Sequence, residues 1–235
     1  MKRKWFVRII ILLFTIFVVK TAADFHSPSK DFRQVYSSSQ KLQVLDRSGA
    51  ALNISYQNRW NLYDVKPLYQ MPDLLKQAFI AAEDKRFYQH SGVDWLARAS
   101  AVKTLVQNRR AGRGASTITE QVVKLLHPRP RNIWSKWLET LEALELDANV
   151  NKSTLLEFYM NQVPYAANRK GVVQASRYYF NRSPDSLNEK EMLALAVLVR
   201  APGKFDLYKN PAGIDKPISE LAKKLNVKLP QEKFV

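Results

Sequence analysis

Cysteine is absent from all 235 residues, so no disulfide staples the fold and no thiolate holds a metal, a pattern that suits export. Histidine is scarce. His26, His90 and His127 are scattered and form no H-E-x-x-H pair, which argues against a zinc hydrolase. No low-complexity stretch divides the chain, and its length suits one well-buried core rather than two domains. Acidic residues are also under-represented: Asp and Glu number 21 against 37 Lys and Arg, a formal net charge of +16. Such a chain attracts polyanions, whether nucleic acid, anionic lipid headgroups or pyrophosphate, and charge alone does not choose among them.

Charged residues are missing from one stretch. Ile9 to Val19 is apolar apart from Thr15, with Lys2, Arg3, Lys4 and Arg8 before it and Lys20 after it. A spanning helix needs about 20 residues to cross the hydrocarbon layer. Trp5 to Ala23 meets that need, because Arg8 and Lys20 can snorkel to the two headgroup layers. Residues 1–23 are therefore expected to form a retained single-pass membrane anchor. The cationic flank stays cytoplasmic and the remainder lies on the outer, periplasmic side. A cleaved signal peptide is the competing reading, since Thr21 and Ala23 are small. An amphipathic surface helix would need a polar face that this run lacks.

Residues 24–41, rich in Ser, Lys and Asp, read as a juxtamembrane linker. Gln43 to Asp46 and Ala51 to Ile54 flank Arg47-Ser48-Gly49 as a small hairpin would. Beyond it the spacing is helical: Leu74, Leu75, Ala78, Phe79 and Ala82 after a first-turn Pro72, then Asp94 to Gln107. Helical spacing returns around Ile133 to Leu141, Leu155 to Met160 and Glu189 to Val199, where Pro202 ends it. The basic loop Asn108 to Gly114 is expected to move. The chain is thus expected to be mainly α, with a main domain over 42–211 and a tail over 212–235 to which no function is assigned.

Two motifs about thirty residues apart carry the chemistry. Glu83-Asp84-Lys85-Arg86-Phe87-Tyr88-Gln89-His90-Ser91-Gly92 fills the pattern E-D-x-x-F-x-x-H-x-G, and Gly114-Ala115-Ser116-Thr117-Ile118-Thr119-Glu120-Gln121 follows it. Glu83 ends an apolar helix, where partial burial would raise its pKa towards that of a general base, although a lone Glu there is more often a cap or a surface carboxylate. In a third block Lys136 and Glu139 share a helix face, with Ala143 and Asp147 beyond them; an isolated pair of this kind is usually a simple salt bridge. A fourth block runs from Leu155 through Asn161-Gln162-Val163-Pro164-Tyr165 to Gly171 and Phe180, and a fifth comprises Val199-Arg200-Ala201-Pro202 with Asn210-Pro211.

As an ordered set over roughly residues 42–211, these blocks resemble glycosyltransferase family 51, the peptidoglycan transglycosylase domain of class A penicillin-binding proteins. Val163 to Asn168 and Leu126 to Arg131 lean towards the 1C branch. The resemblance implies a lysozyme-like domain with a smaller membrane-facing lobe and an inverting reaction. Lipid II is polymerised into β-1,4-linked glycan strands and undecaprenyl pyrophosphate is released. It makes Glu83 the catalytic base and Glu139 the second catalytic carboxylate. Asp84, Arg86, Phe87, His90, Ser116, Thr117, Gln121, Lys124 and Lys136 become substrate-binding residues, the lysines towards the diphosphate, where the alternative is a solvated surface charge. The sequence requires no cofactor, and a divalent cation such as Mg is compatible with Glu139. Implied partners are lipid II, the growing glycan strand, the bilayer, and transpeptidases or other cell-wall synthesis proteins; nucleic acid is not among them, since no recognition motif occurs.

Glu120 stands where the family usually has Gln, Ser135 where Arg is common, and Ala166 and Ala167 where glycines are usual. These departures support an alternative, a degenerate non-catalytic member that binds lipid II or a cell-wall synthesis partner. The presence of both Glu83 and Glu139 speaks against it. A lytic glycosidase also uses two carboxylates, but fits the second motif and the anchor less well. Three S-x-x-K matches at Ser27, Ser38 and Ser100 are what chance provides, and no K-T-G triad follows, so the chain is expected to be monofunctional or a truncated relative.

Overall fold

A computed structural model describes residues 2–48, 52–53, 56–108, 115–200, 205, 207–208 and 211–230. Among them the architecture is mainly α, as expected, with no strand. The helices are α1 Lys2–Asp24, α2 Pro28–Ser38, α3 Asp73–Glu83, α4 Trp95–Asn108, α5 Ile118–Leu126 and α6 Ile133–Asn149, followed by α7 Lys152–Gln162, α8 Gly171–Phe180, α9 Glu189–Leu198 and α10 Asp215–Leu225. Where the sequence reads as a hairpin, the Leu52 N–H donates to the Val44 carbonyl at 2.8 Å and the Val44 N–H to the Asn53 side chain at 2.8 Å. The chain doubles back there without forming a strand among the described residues; Gly49, Ala50, Ala51 and Ile54 lie outside them.

α1 is long and apolar enough to cross a membrane, and its apolar side chains face outwards. Its C-terminal end is fastened to α6. Phe17 packs on Trp134 and Trp137 at 5.7 and 5.6 Å, Trp134 Nε1 donates to Asp24 at 2.8 Å and Trp137 Nε1 to Thr21 at 3.2 Å. The segment read as a linker holds α2, which packs on α5 and α6. Phe32 explains the difference: it is buried against Phe158 and anchors an otherwise polar helix.

The core is built by α3, α5 to α9 and α10. α3 begins after Pro72, one position earlier than a first-turn proline, and buries Leu75, Ala78 and Phe79 against α9 and α10. Ile218, Leu221 and Ala222 of α10 are buried in that contact, so the tail is part of the fold. The fourth block shapes the molecule. Asn161 exchanges hydrogen bonds with both backbone groups of Lys66 at 2.9 Å, and Gln162 does the same with Asn61 at 2.8 and 2.9 Å, so two amides replace a missing strand partner. Gly171 has φ +73°, and a Cβ there would lie 2.2 Å from the Asn161 carbonyl oxygen.

Candidate active site

Three helix ends meet at one cleft. α3 runs out at Glu83 while α4 and α5 start at Trp95 and Ile118, and the cavity between them, about 530 Å³, is lined by Glu83, Asp84, Arg86, Ser116, Thr117 and Arg200 among others. Because α3 packs along its apolar face, its last side chain is withheld from water: Glu83 is 10% exposed. Gln121 Nε2 donates to Glu83 Oε2 at 2.9 Å, and Arg200 Nε stands 3.3 Å from Oε1, which has no hydrogen-bond partner among the described residues. Burial pushes the Glu83 carboxyl above the usual 4.5; Gln121 and Arg200 pull against it, and Asp84 adds to the rise. A raised carboxyl with an uncommitted lone pair is equipped to take a proton.

Glu139 is buried on α6 and is not among the residues lining the cavity. Lys136 connects it to the cleft: its Nζ lies 3.3 Å from Glu139, 3.0 Å from Ser116 Oγ and 2.7 Å from Glu120. Glu120, the unusual acid, is therefore already neutralised. Its carboxylate is paired with Arg98 and Lys136 and closes a capping box with Thr117 at the start of α5. Ser135 is buried in the first turn of α6, its N–H donating to the Asn132 cap at 2.7 Å.

Several residues expected to bind substrate also make bonds within the protein, Asp84, Arg86 and Thr117 while lining the cavity. Asp84 accepts from the Ile118 N–H at 3.0 Å and from His90 Nε2 at 2.9 Å, tying the first motif to the N-terminus of α5. Phe87 is fully buried beneath Lys152. Thr117 caps α5 and donates to the Gly92 carbonyl at 2.6 Å. Gly92 has φ +76°, and a Cβ there would lie 2.3 Å from the Ala143 carbonyl oxygen. Arg86 is held by Asp94 at 2.9 and 2.5 Å, at the edge of the cavity. Lys124 is exposed one turn beyond Gln121 and does not line the cavity. Gly114 and the basic loop from Arg109 lie outside the described residues, as do Ala201, Pro202 and Asn210.

Sequence reasoning missed four groups. Arg200 sat in the fifth block without a role, Tyr159 read as one position of an apolar rhythm, Arg98 belonged to no motif, and Lys224 of α10, which lines the cavity, lay in the unassigned tail. Arg200 and Tyr159 carried a signal, their places within the fifth and fourth blocks.

A family model described as Transglycosylase matches residues 51–226, most of the chain and α10 included. This chain belongs to the transglycosylase family. It is 34% identical over 185 residues to penicillin-binding protein 1A of Neisseria lactamica, covering 78% of this chain and 23% of that one. It is 30% identical over 217 residues to penicillin-binding protein 1F of Bacillus subtilis (strain 168), covering 89% of this chain and 30% of that one. The chain thus spans 23% to 30% of the length of these curated relatives. Their names are 1A and 1F, and the leaning towards the 1C branch stays an expectation.

Proposed function

We propose that this transglycosylase is a peptidoglycan glycosyltransferase that polymerises lipid II at the outer face of the cytoplasmic membrane. The observation that carries the reading is Glu83, buried at the wall of a cleft rich in cations, with an Oε1 that faces Arg200 at 3.3 Å and accepts no hydrogen bond among the described residues. Glu83 takes the proton from the C4 hydroxyl of lipid II as that oxygen attacks the anomeric carbon of the growing strand's lipid-linked end. The bond from that carbon to the diphosphate oxygen breaks with inversion, and the electron pair leaves with undecaprenyl pyrophosphate. Arg86, Lys136, Arg200 and Lys224 supply positive charge around the departing diphosphate, and Ser116 a hydroxyl. Glu139 acts through Lys136, holding its ammonium at Ser116. Buried, off the cavity and 3.3 Å from the Lys136 ammonium, Glu139 is placed to serve that lysine rather than to ligate a divalent cation such as Mg.

The membrane supports this reading. The exposed Trp95, Leu96, Val102 and Val106 of α4, the helix that lines the cavity, give the cleft a hydrophobic flank where a polyprenyl tail would lie in the bilayer that α1 is long enough to cross. Full-length chain incubated with labelled lipid II is expected to make glycan strands, and Glu83→Gln to abolish them while lipid II still binds. Glu139→Gln is expected to slow polymerisation about 100-fold. Intact polymerisation by Glu83→Gln would overturn the assignment of the base. Binding without product from the parent chain, under every detergent and metal condition, would favour the non-catalytic alternative.

A further inference from the structure

We propose that Tyr159 is a positioning residue for this site: through Gln121 it sets which oxygen of Glu83 receives the proton. The inference rests on Glu83 being the base of the transfer proposed above. Tyr159, on α7, is 1% exposed, and Phe79 of α3 meets its ring edge-on at 6.2 Å. Its hydroxyl donates to Gln121 Oε1 at 2.8 Å, and Gln121 Nε2 donates to Glu83 Oε2 at 2.9 Å. A primary amide has one accepting end and one donating end. Turned over, Gln121 would present its carbonyl oxygen to a carboxylate and its NH₂ to a phenolic hydroxyl. Burial, reinforced by the Glu83 charge, holds the phenol far above its usual 10, so it remains a proton donor at every working pH. The order Tyr159 to Gln121 to Glu83 therefore runs in one direction, engages Oε2 and leaves Oε1, 3.3 Å from Arg200 Nε, without a hydrogen bond.

Tyr159→Phe keeps the ring and deletes only the hydroxyl. In the full chain polymerising labelled lipid II, we expect kcat to fall about tenfold with KM within about twofold. The acid limb of the kcat profile should move up by about half a unit or more, because the amide that opposed the rise of Glu83 is no longer held. Gln121→Met should produce the same shift, and it carries the test if Tyr159→Phe fails to fold. The double variant should be no slower than Gln121→Met alone, since both changes break one relay. Tyr165→Phe also deletes a buried hydroxyl, one that donates to the Leu195 carbonyl at 3.1 Å, and should leave the acid limb unmoved. An unmoved acid limb in Tyr159→Phe, or additive losses in the double variant, would overturn the inference while polymerisation by the parent upheld the transferase reading. A parent chain that makes no glycan would overturn both.

Discussion

At the scale of single residues, the cost of the site is visible at Glu83. Its folded pKa lies above the usual 4.5, chiefly through burial, so the folded state holds the proton more tightly than the unfolded one. Stability is then lost as pH rises from the unfolded value through the folded one. Glu83→Gln should accordingly raise the melting temperature near neutral pH by roughly 2 °C, with the gain disappearing in acid once the carboxyl is protonated in both states. Thermal melts of parent and variant across pH check this, and a variant less stable than the parent at neutral pH would count against it. Ala167 carries a second local cost. It sits at φ +52°, in the left-handed region, in a loop closed by the Arg169 N–H to the Ala166 carbonyl at 3.1 Å. The turn thus keeps a glycine-like conformation without the glycine, which costs about 1–2 kcal/mol. Ala167→Gly should relieve roughly 1 kcal/mol of it and raise the melting temperature by about 2–4 °C, read by calorimetry.

Among the helices, the decisive contact is a charge cluster where α2 and α6 meet the end of α5. His127 Nδ1 faces Glu142 at 2.9 Å and Nε2 faces Asp31 at 2.8 Å, so both ring nitrogens are called on to donate, as only imidazolium can. Arg129 forks onto Glu142 at 2.8 and 2.6 Å, and the His26 N–H donates to the same carboxylate at 3.2 Å. The His127 pKa is raised above the usual 6.5 mainly by the Glu142 bond; burial and Arg129 oppose the rise, and Asp31 adds to it. A raised folded pKa means that this contribution is complete below 6.5 and is lost as pH rises through the folded value. The melting temperature should fall across that window, and His127→Gln should flatten the fall at the expense of stability below it. A parent chain with a level profile there would refute the coupling. The individual helices were largely legible: α3 and α6 carry an apolar face at helical spacing, and α6, α7 and α9 start at the polar caps Asn132, Asn151 and Asn188. α2 was not: its Ser, Lys and Asp content reads as a linker, although Phe32, Val35 and Tyr36 fall at helical spacing on the face packed against the core.

For the whole molecule, the proposal orients α1 with its basic end in the cytoplasm and the cleft outside. The lack of cysteine makes this testable with single reporters, Lys4→Cys and Ser37→Cys, on an otherwise unreactive chain. A membrane-impermeant maleimide added to intact cells, with the outer membrane permeabilised where one is present, should label Ser37→Cys and spare Lys4→Cys; the reverse pattern would invert the topology. The sequence alone settled the mainly helical class, the apolar N-terminal run and the motif order that marks the family, because each is written in local spacing or composition. It could not separate the residues of a motif that line the cleft from those that fill the core. Phe87 is buried in the core, while Asp84 and Thr117 line the cavity beside Glu83 and Ser116 and also tie one motif to another and cap α5. Only the tertiary structure decided that division, and only it brought Tyr159, Arg200 and Lys224 to the site. Orientation depends on which helix packs against which, and burial, the force that raises Glu83, exists only once α3, α9 and α10 have closed around one another.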